Sequence, residues 1–261
     1  MRLGFHLQPA IGKRNTGIGV YTQSLYETLR SELGERVIPI RRRSSAPIRT
    51  LGERLFYEQV AVRFLIRSTS PSVFHSTGIS YPMGLSCRGI GTLYDLAYVE
   101  NPSWAGSRAS QWFWSRFVPI SHRHADRIIV LSRTVADAVS ERFPEFRSRI
   151  RIVPAGVPLD IEAASLVSQP GKTRFGILFV GDLSPRKNLR TLVSALPALR
   201  ARGYNEPLFA VGVPPDPALI PYDWRHLVEN GSIVPLGYLP RPALIDQYRS
   251  ARLLVFPSLV E

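Results

Sequence analysis

The sequence predicts an α/β protein built on parallel sheets in two units, and three observations carry that prediction. Short apolar runs alternate with longer amphipathic stretches along nearly all of the 261 residues. A stretch containing Ser165, Ser168, Gln169, Pro170 and Gly171, without a clear period, interrupts the alternation. With 44% hydrophobic residues the chain can bury one large core or two modest ones. The units are expected at 1–161 and 174–261, with 162–173 as the linker.

The apolar runs predict strands at 3–7, 37–40, 73–75, 89–93, 127–131 and 150–153 in the first unit. In the second unit they predict strands at 176–180, 208–213, 232–236 and 253–256. The stretches between are long enough for crossover helices, expected at 20–33, 51–67, 107–122, 134–143, 189–202, 222–229 and 241–250. The strand 176–180 should end where Gly181 lets the backbone turn without a Cβ clash. Ser184-Pro185 then reads as a cap and first helical residue, opening a helix that runs to about 202. The second unit stops just after a strand, so its sheet is expected to be incomplete.

Composition narrows the function classes. No run of about 18 apolar residues exists to span a membrane. The segment Met1-Arg2-Leu3-Gly4-Phe5-His6-Leu7-Gln8 is too short an apolar run for an export signal and reads as a first strand. The single cysteine, Cys87, gives neither a disulfide framework nor a metal cluster, which fits a reducing cytoplasm. The formal charge is +13, and 22 basic against 13 acidic residues place +9 of it in residues 1–165. No groove-reading or base-stacking signature accompanies the charge, so nucleic acid is not expected as a partner. An anionic membrane surface needs only a basic face and ranks above it, beside a plain solvated arginine-rich surface.

The strongest chemical signal is Val180-Gly181-Asp182-Leu183-Ser184-Pro185-Arg186-Lys187-Asn188, which delivers two cations to a helix start. Cations there oppose the helix dipole unless an anion joins them, and free N–H groups would face the same anion. Lysine is also out of pattern, with only Lys13, Lys172 and Lys187 among 33 basic residues. After the first strand, Gly12-Lys13-Arg14-Asn15-Thr16-Gly17-Ile18-Gly19 offers a second glycine loop before a helix. It is not the dinucleotide fingerprint, because the third glycine is replaced by Thr22.

Other candidates lie at strand ends, where open α/β sheets place ligands. His75 reads as a hydrogen-bonded histidine there, and Asp95 as a turn or capping aspartate. Tyr94 can exchange hydrogen bonds, but a phenol with a pKa near ~10 is no ordinary acid or base at neutral pH. His122 and His124 lack the spacing of a helical metal pair, so no metal is expected. Trp112, Phe113 and Trp114 are consecutive and cannot all face the core of one helix. No Ser-His-Asp, Cys-His or paired-carboxylate arrangement stands out.

The residues 181–192, together with Phe256-Pro257-Ser258-Leu259-Val260-Glu261, resemble the donor-binding half of the retaining glycosyltransferases of family four, a GT-B group that includes many bacterial mannosyl- and glucosyltransferases. Gly17-Ile18-Gly19-Val20-Tyr21-Thr22 is similar to that family's glycine-rich loop, and 122–132 is similar as well. The resemblance implies two Rossmann-like domains around a cleft and a nucleoside-diphosphate sugar as donor, with GDP-mannose suggested by the Pro-Arg-Lys-Asn turn. It implies a glycan or lipid-linked acceptor, no cofactor, and work at the cytoplasmic side of the inner membrane.

Carried onto this sequence, the resemblance makes Lys187 the principal stabiliser of the leaving diphosphate, with Arg186 beside it. Glu261 would hold hydroxyls of the donor sugar, and Gly17, Gly19, Gly181 and Ser184 would line the donor phosphates. Tyr94, Asp95 and His75 would face the acceptor side of the cleft. Two departures stand out: Tyr94-Asp95 where the family usually reads His-Asp, and Asp182 where relatives carry arginine or threonine. The Glu-(seven residues)-Glu motif is met only at its first glutamate, so the chain is expected to be truncated within the donor domain. The alternative is a non-catalytic remnant with at most weak nucleotide binding.

Overall fold

A computed structural model describes residues 1–11, 16–44, 48, 50–157, 173–213 and 224–260. The chain separates into two compact units, Met1–Leu159 and Asp160–Glu261. The segment expected to link them falls largely outside the described residues.

The first unit holds a six-stranded sheet in the order β2-β1-β3-β4-β5-β6. Its strands are β1 Leu3–His6, β2 Val37–Ile40, β3 Val73–Ser76, β4 Arg88–Thr92, β5 Arg127–Val130 and β6 Ile150–Ile152. Every pairing is parallel, so each connection is a crossover. The helices are α1 Gly17–Leu33, α2 Leu51–Phe56, α3 Val62–Thr69, α4 Ala97–Glu100, α5 Arg108–Trp112, α6 Val118–His122 and α7 Arg133–Arg142. Alternate strand residues bury on opposite faces: Phe5 and Val37 pack on Leu25, Tyr26 and Leu29 of α1, whereas Ile40 and Phe74 pack on Val62 and Ile66 of α3.

Two long rods of this unit each contain a π-turn. Tyr57–Ala61 joins α2 to α3, and Phe113–Phe117 joins α5 to α6. The sequence pattern predicts both rods as continuous helices and does not distinguish the i→i+5 turns inside them.

The second unit is a four-stranded parallel sheet in the order β10-β7-β8-β9. Its strands are β7 Ile177–Val180, β8 Leu208–Val211, β9 Ile233–Gly237 and β10 Leu253–Leu254, and its helices are α8 Leu189–Ala201, α9 Trp224–Glu229 and α10 Arg241–Ser250. Ile177 and Phe179 bury beneath α8 and α9, while Leu178 and Val211 bury beneath residues of α10 such as Leu244 and Tyr248. Helices on both faces make this sheet doubly wound. Strand β10 is shorter than the apolar run 253–256 predicts, and Leu253 and Leu254 are exposed at the edge.

Two helix starts differ from expectation. α1 begins at Gly17, earlier than expected, because Thr16 caps it by accepting from the Gly19 N–H at 3.2 Å. α8 begins at Leu189, not at Pro185. Pro185–Lys187 forms a separate 3-10 turn, and Asn188, left-handed at φ 51°, breaks the chain between turn and helix.

Candidate active site

In the second unit the site is built where β7 ends. The Gly181 N–H donates to the Val211 carbonyl at 3.0 Å and extends the ladder one residue past the strand. A Cβ on Gly181 would lie 3.1 Å from Phe179 Cζ and 3.4 Å from Lys187 Cγ, so the bare backbone makes room for the lysine stem. On the next strand, Gly212 has φ +86°, and a Cβ there would sit 2.4 Å from the Gly181 oxygen. The Gly212 N–H in turn donates to the Gly237 carbonyl at 2.6 Å. Three neighbouring strands thus end in Gly181, Gly212 and Gly237, a row that no single sequence window reveals.

The following turn carries the cations. Asp182 accepts from the Ser184 N–H at 3.0 Å and from the Ser184 hydroxyl at 2.5 Å. Its Oδ1 is thereby engaged within the turn. The contact also corrects the cap assigned to Ser184, whose hydroxyl donates to Asp182 and caps no helix. Lys187 N–H and Asn188 N–H are consumed by the carbonyls of Ser184 and Pro185 at 3.0 and 3.1 Å. Arg186 and Lys187 therefore present themselves through half-buried side chains, with the Lys187 and Asn188 amides already used.

The tail of the chain is laced to this turn. Leu259 N–H donates to the Arg186 carbonyl at 2.9 Å, and Asn188 Nδ2 donates to the Pro257 carbonyl at 3.0 Å. Lys187 Nζ lies 5.8 Å from the centroid of the Phe256 ring, a cation–π approach. Asn188 also accepts from Thr191 Oγ1 at 2.8 Å, which ties the left-handed residue to the first turn of α8. Ser258 Oγ is buried and hydrogen-bonds to nothing among the described residues. The two sequence segments that carry the family resemblance, some seventy residues apart, are thus one local structure. Glu261 lies outside the described residues.

In the first unit the expected residues gather at the carboxyl ends of β3 and β4. His75 is buried, with Nε2 2.8 Å from Thr92 Oγ1 and its ring edge-on to Phe5 at 5.4 Å. Burial pulls its pKa down to about 4, so the imidazole is neutral at physiological pH. Tyr94 donates to the Thr77 carbonyl at 2.9 Å and meets Tyr21 of α1 edge-on at 5.7 Å. Burial raises its pKa, which keeps the phenol protonated. Asp95 accepts from the Ala97 N–H at 3.0 Å, the turn-capping role expected from the residue type.

Gly19 is buried in the first turn of α1, and a Cβ there would lie 3.0 Å from the Pro9 carbonyl oxygen. Its N–H is engaged by Thr16, so its contribution is close packing, whereas Gly17 is exposed with open space beside it.

Sequence reasoning passed over a second buried polar cluster beside this one. His6 at the end of β1 lies between the Tyr57 and Phe74 rings, and desolvation, with His75 and Arg54 adding to it, lowers its pKa to about 3. Glu58, in the first π-turn, accepts from the Ser80 N–H at 3.1 Å and from the Ser80 hydroxyl. Burial raises its pKa against the opposing pull of Arg54, 4.0 Å away. The only early signal for either residue was a polar type inside an apolar run. Among the described residues no group of three or more His, Cys, Asp or Glu side chains is placed to hold a metal ion.

Comparison with known proteins fits this arrangement. The profile of Glycosyltransferase Family 4 matches residues 10–161, and that of Glycosyl transferases group 1 matches residues 174–261. A sequence search of curated proteins returns no match. Among solved structures, the chain resembles WaaG, a glycosyltransferase involved in lipopolysaccharide biosynthesis, with a TM-score of 0.64 at 15% identity over 98% of this chain and 75% of that one. It also resembles the lipopolysaccharide outer core galactosyltransferase WaaB, with a TM-score of 0.54 at 13% identity over 99% of this chain and 74% of that one. The pneumococcal O-GlcNAc transferase GtfA, solved with UDP and GlcNAc, gives a TM-score of 0.51 at 15% identity over 78% of this chain and 41% of that one. At such identities the likeness speaks for the fold, two parallel-sheet units of GT-B type, and the family profile speaks for the rest: the chain belongs to glycosyltransferase family 4.

Proposed function

We propose that this glycosyltransferase moves a hexosyl group, with retention, from a nucleoside-diphosphate sugar to a glycan or lipid-linked acceptor of a cell-surface polysaccharide, at the cytoplasmic side of the membrane. Residues 174–261 take the donor and residues 1–161 the acceptor. The observation that carries the reading is the lacing of the Arg186–Lys187 turn to Phe256, Pro257 and Leu259 beside a row of strand-end glycines. As the bond from the anomeric carbon to the diphosphate oxygen breaks, negative charge grows on the leaving phosphate. Lys187 and Arg186 meet that charge from a turn held in advance by its own hydrogen bonds, so little reorganisation accompanies the step.

Gly181 and Ser184 shape the donor side in this reading, while Gly17 and Gly19 are assigned to the donor phosphates only by resemblance. His75, Tyr94 and Asp95 present neutral or capped groups to the sugars, and Glu261 is assigned to the donor hydroxyls by resemblance. For the nucleotide, the Pro-Arg-Lys-Asn turn favours GDP-mannose, while UDP in the pneumococcal relative's structure supports a uridine donor as the second reading. Thermal shift and nucleoside-diphosphate release over a panel of UDP- and GDP-sugars tests both. Stabilisation and turnover with one donor, lost in Lys187→Ala, is the expected outcome, and indifference to every donor overturns the reading.

A further inference from the structure

The first unit carries a recess of about 400 Å³ at the amino ends of β4 and β5, the end of the sheet opposite His75, Thr92 and Tyr94. Tyr81, Leu85, Ser86, Arg88, His124 and Asp126 line it, with Cys87 among them. β4 runs five residues from Arg88 beside the recess to Thr92, roughly 13 Å at ~3.3 Å per residue. The recess is therefore a different place from the candidate active site.

Two glycines of β4 build its floor. Gly89 and Gly91 are two residues apart and so open the same face of the strand. The Tyr81 ring occupies that face: a Cβ on Gly91 would stand 3.2 Å from Tyr81 Cδ2, and one on Gly89 would overlap the Tyr81 hydroxyl outright. The ring thus lies along the strand and carries its hydroxyl toward the amino end. Its backbone is pinned at the other end, where the Tyr81 N–H donates to Ser121 Oγ at 3.0 Å and the Tyr81 carbonyl accepts from Gln59 Nε2 at 3.1 Å. Burial raises the pKa of the phenol, and Cys87 and Asp126 add to it, so the hydroxyl stays protonated and stands among the residues of the recess. Tyr81 is 1% exposed, yet its hydroxyl hydrogen-bonds to nothing among the described residues. A buried donor left without an acceptor weakens a fold, and a phenylalanine would pack here without that penalty. The hydroxyl needs a reason outside the fold.

The lining selects the ligand. Arg88 only donates and Asp126 only accepts, its Oδ2 already taking the Gly89 N–H at 2.7 Å and its Oδ1 remaining. Ser86 and His124 can do either. These four side chains are exposed, and neither Arg88 nor His124 forms an ion pair among the described residues. A small anion would meet the Asp126 carboxylate, and a small cation the Arg88 guanidinium. A hydroxyl donates and accepts at once, so a neutral ligand with several hydroxyls suits both kinds of wall. Leu85 adds an apolar edge for its C–H groups. The volume falls within the ~300–1,000 Å³ usual for small-molecule sites.

We infer that the recess binds a sugar unit, free or at the end of a glycan chain, with Tyr81 and Arg88 donating to its hydroxyl oxygens and Asp126 accepting from its hydroxyls. The site goes beyond the transferase reading, since it shares no residue with the Arg186–Lys187 turn or with the carboxyl ends of β3 and β4.

Saturation-transfer NMR on the full chain tests it, with methyl α-D-mannoside, methyl α-D-glucoside and maltotriose as probes. At least one is expected to bind. Maltotriose held more tightly than the glucoside assigns the recess to a glycan chain, whereas equal binding assigns it to a free sugar. Asp126→Asn and Arg88→Gln should each weaken binding roughly three- to tenfold, as for loss of one hydrogen bond. Tyr81→Phe should weaken it to the same degree while leaving the urea midpoint unchanged or higher, because the hydroxyl it removes has no partner in the fold. Donor-induced thermal shift should be unchanged in all three variants, which keeps a failure here distinct from a failure of the transferase reading.

Four results overturn the inference. The first is that none of the probes binds. The second is binding that survives all three substitutions. The third is a Tyr81→Phe midpoint that falls, which makes the hydroxyl a part of the fold. The last is displacement of the sugars by inorganic phosphate, which makes the recess an anion site.

Discussion

The two units put opposite chemistry at the carboxyl ends of their parallel strands. At the end of β7 the groups are formally charged, half-buried side chains on a tight turn, with glycines clearing space around them. At the ends of β3 and β4, buried His75 on Thr92 and half-buried Tyr94 on Thr77 are neutral, both held uncharged by desolvation. A charged group that keeps solvent contact avoids most of the desolvation cost and can still answer charge arising on a ligand. A buried neutral group is better suited to fixing the position of hydroxyls. In the proposed function, electrostatic work falls to the second unit and orientation to the first.

Removal of Lys187 should break the comparison most severely. Lys187→Ala is expected to cut the rate of nucleoside-diphosphate release by roughly 10²–10³-fold, as for loss of a group aimed at developing charge. Unchanged far-ultraviolet circular dichroism would show that the turn itself survives, and a rate within a factor of two of wild type would move the electrostatic work elsewhere.

Next comes the glycine row. Gly212→Ala combines a left-handed φ of +86° with a Cβ 2.4 Å from the Gly181 oxygen. It should cost on the order of 3 kcal/mol in urea unfolding, if the protein folds at all. Gly203→Ala is the matched control, because Gly203 has the same φ but open space around it, and it should cost only about 1 kcal/mol. Equal losses at the two sites would mean that the close approach to Gly181 is unimportant.

A smaller effect is expected at Asn188. Asn188→Ala loses the left-handed preference and the bond to Pro257, about 1–2 kcal/mol in the same unfolding assay. Asn188→Gly keeps the conformation and should recover part of that loss, while loosening the tail from the turn.

Acid sharpens the other half of the comparison. An unfolded histidine titrates near 6.5, but folded His6 and His75 titrate near 3 and 4. Between those limits the unfolded chain binds protons that the folded one refuses, so stability is complete above about 6.5 and declines as the pH falls toward 4. His122, also lowered by burial, adds in the same direction. Glu58, raised by burial, acts in the opposite direction, but three histidines against one carboxyl should still lower the urea midpoint between about pH 7.5 and about pH 5, and a midpoint that rises on acidification contradicts that balance.

Much of this was legible in the residues. The continuous apolar run Ile177-Leu178-Phe179-Val180, buried on both faces, and the alternation of such runs with amphipathic stretches specify parallel sheets covered on both faces. The cation turn was readable because its chemistry is local, from Gly181 to Asn188. What stayed hidden depends on contacts between distant positions or on competition between caps. Gly212 and Gly237 matter only through their neighbours on adjacent strands. Ser184 could serve as a helix cap or as a donor to Asp182, and the second won because Asn188 takes the left-handed conformation and delays the helix. Thr16 made the opposite choice and drew Gly17 and Gly19 into α1. The π-turns escaped because amphipathic periodicity over a single turn does not separate i→i+5 from i→i+4 bonding.

The bond from Leu259 to the Arg186 carbonyl has a use beyond holding the tail. Any occupant that immobilises Arg186 and Lys187 must also slow the opening of that bond, so deuterium uptake at the Leu259 amide becomes a built-in gauge of donor engagement. Among candidate nucleotides, the one that slows this uptake most would report its own recognition before a single sugar has been transferred.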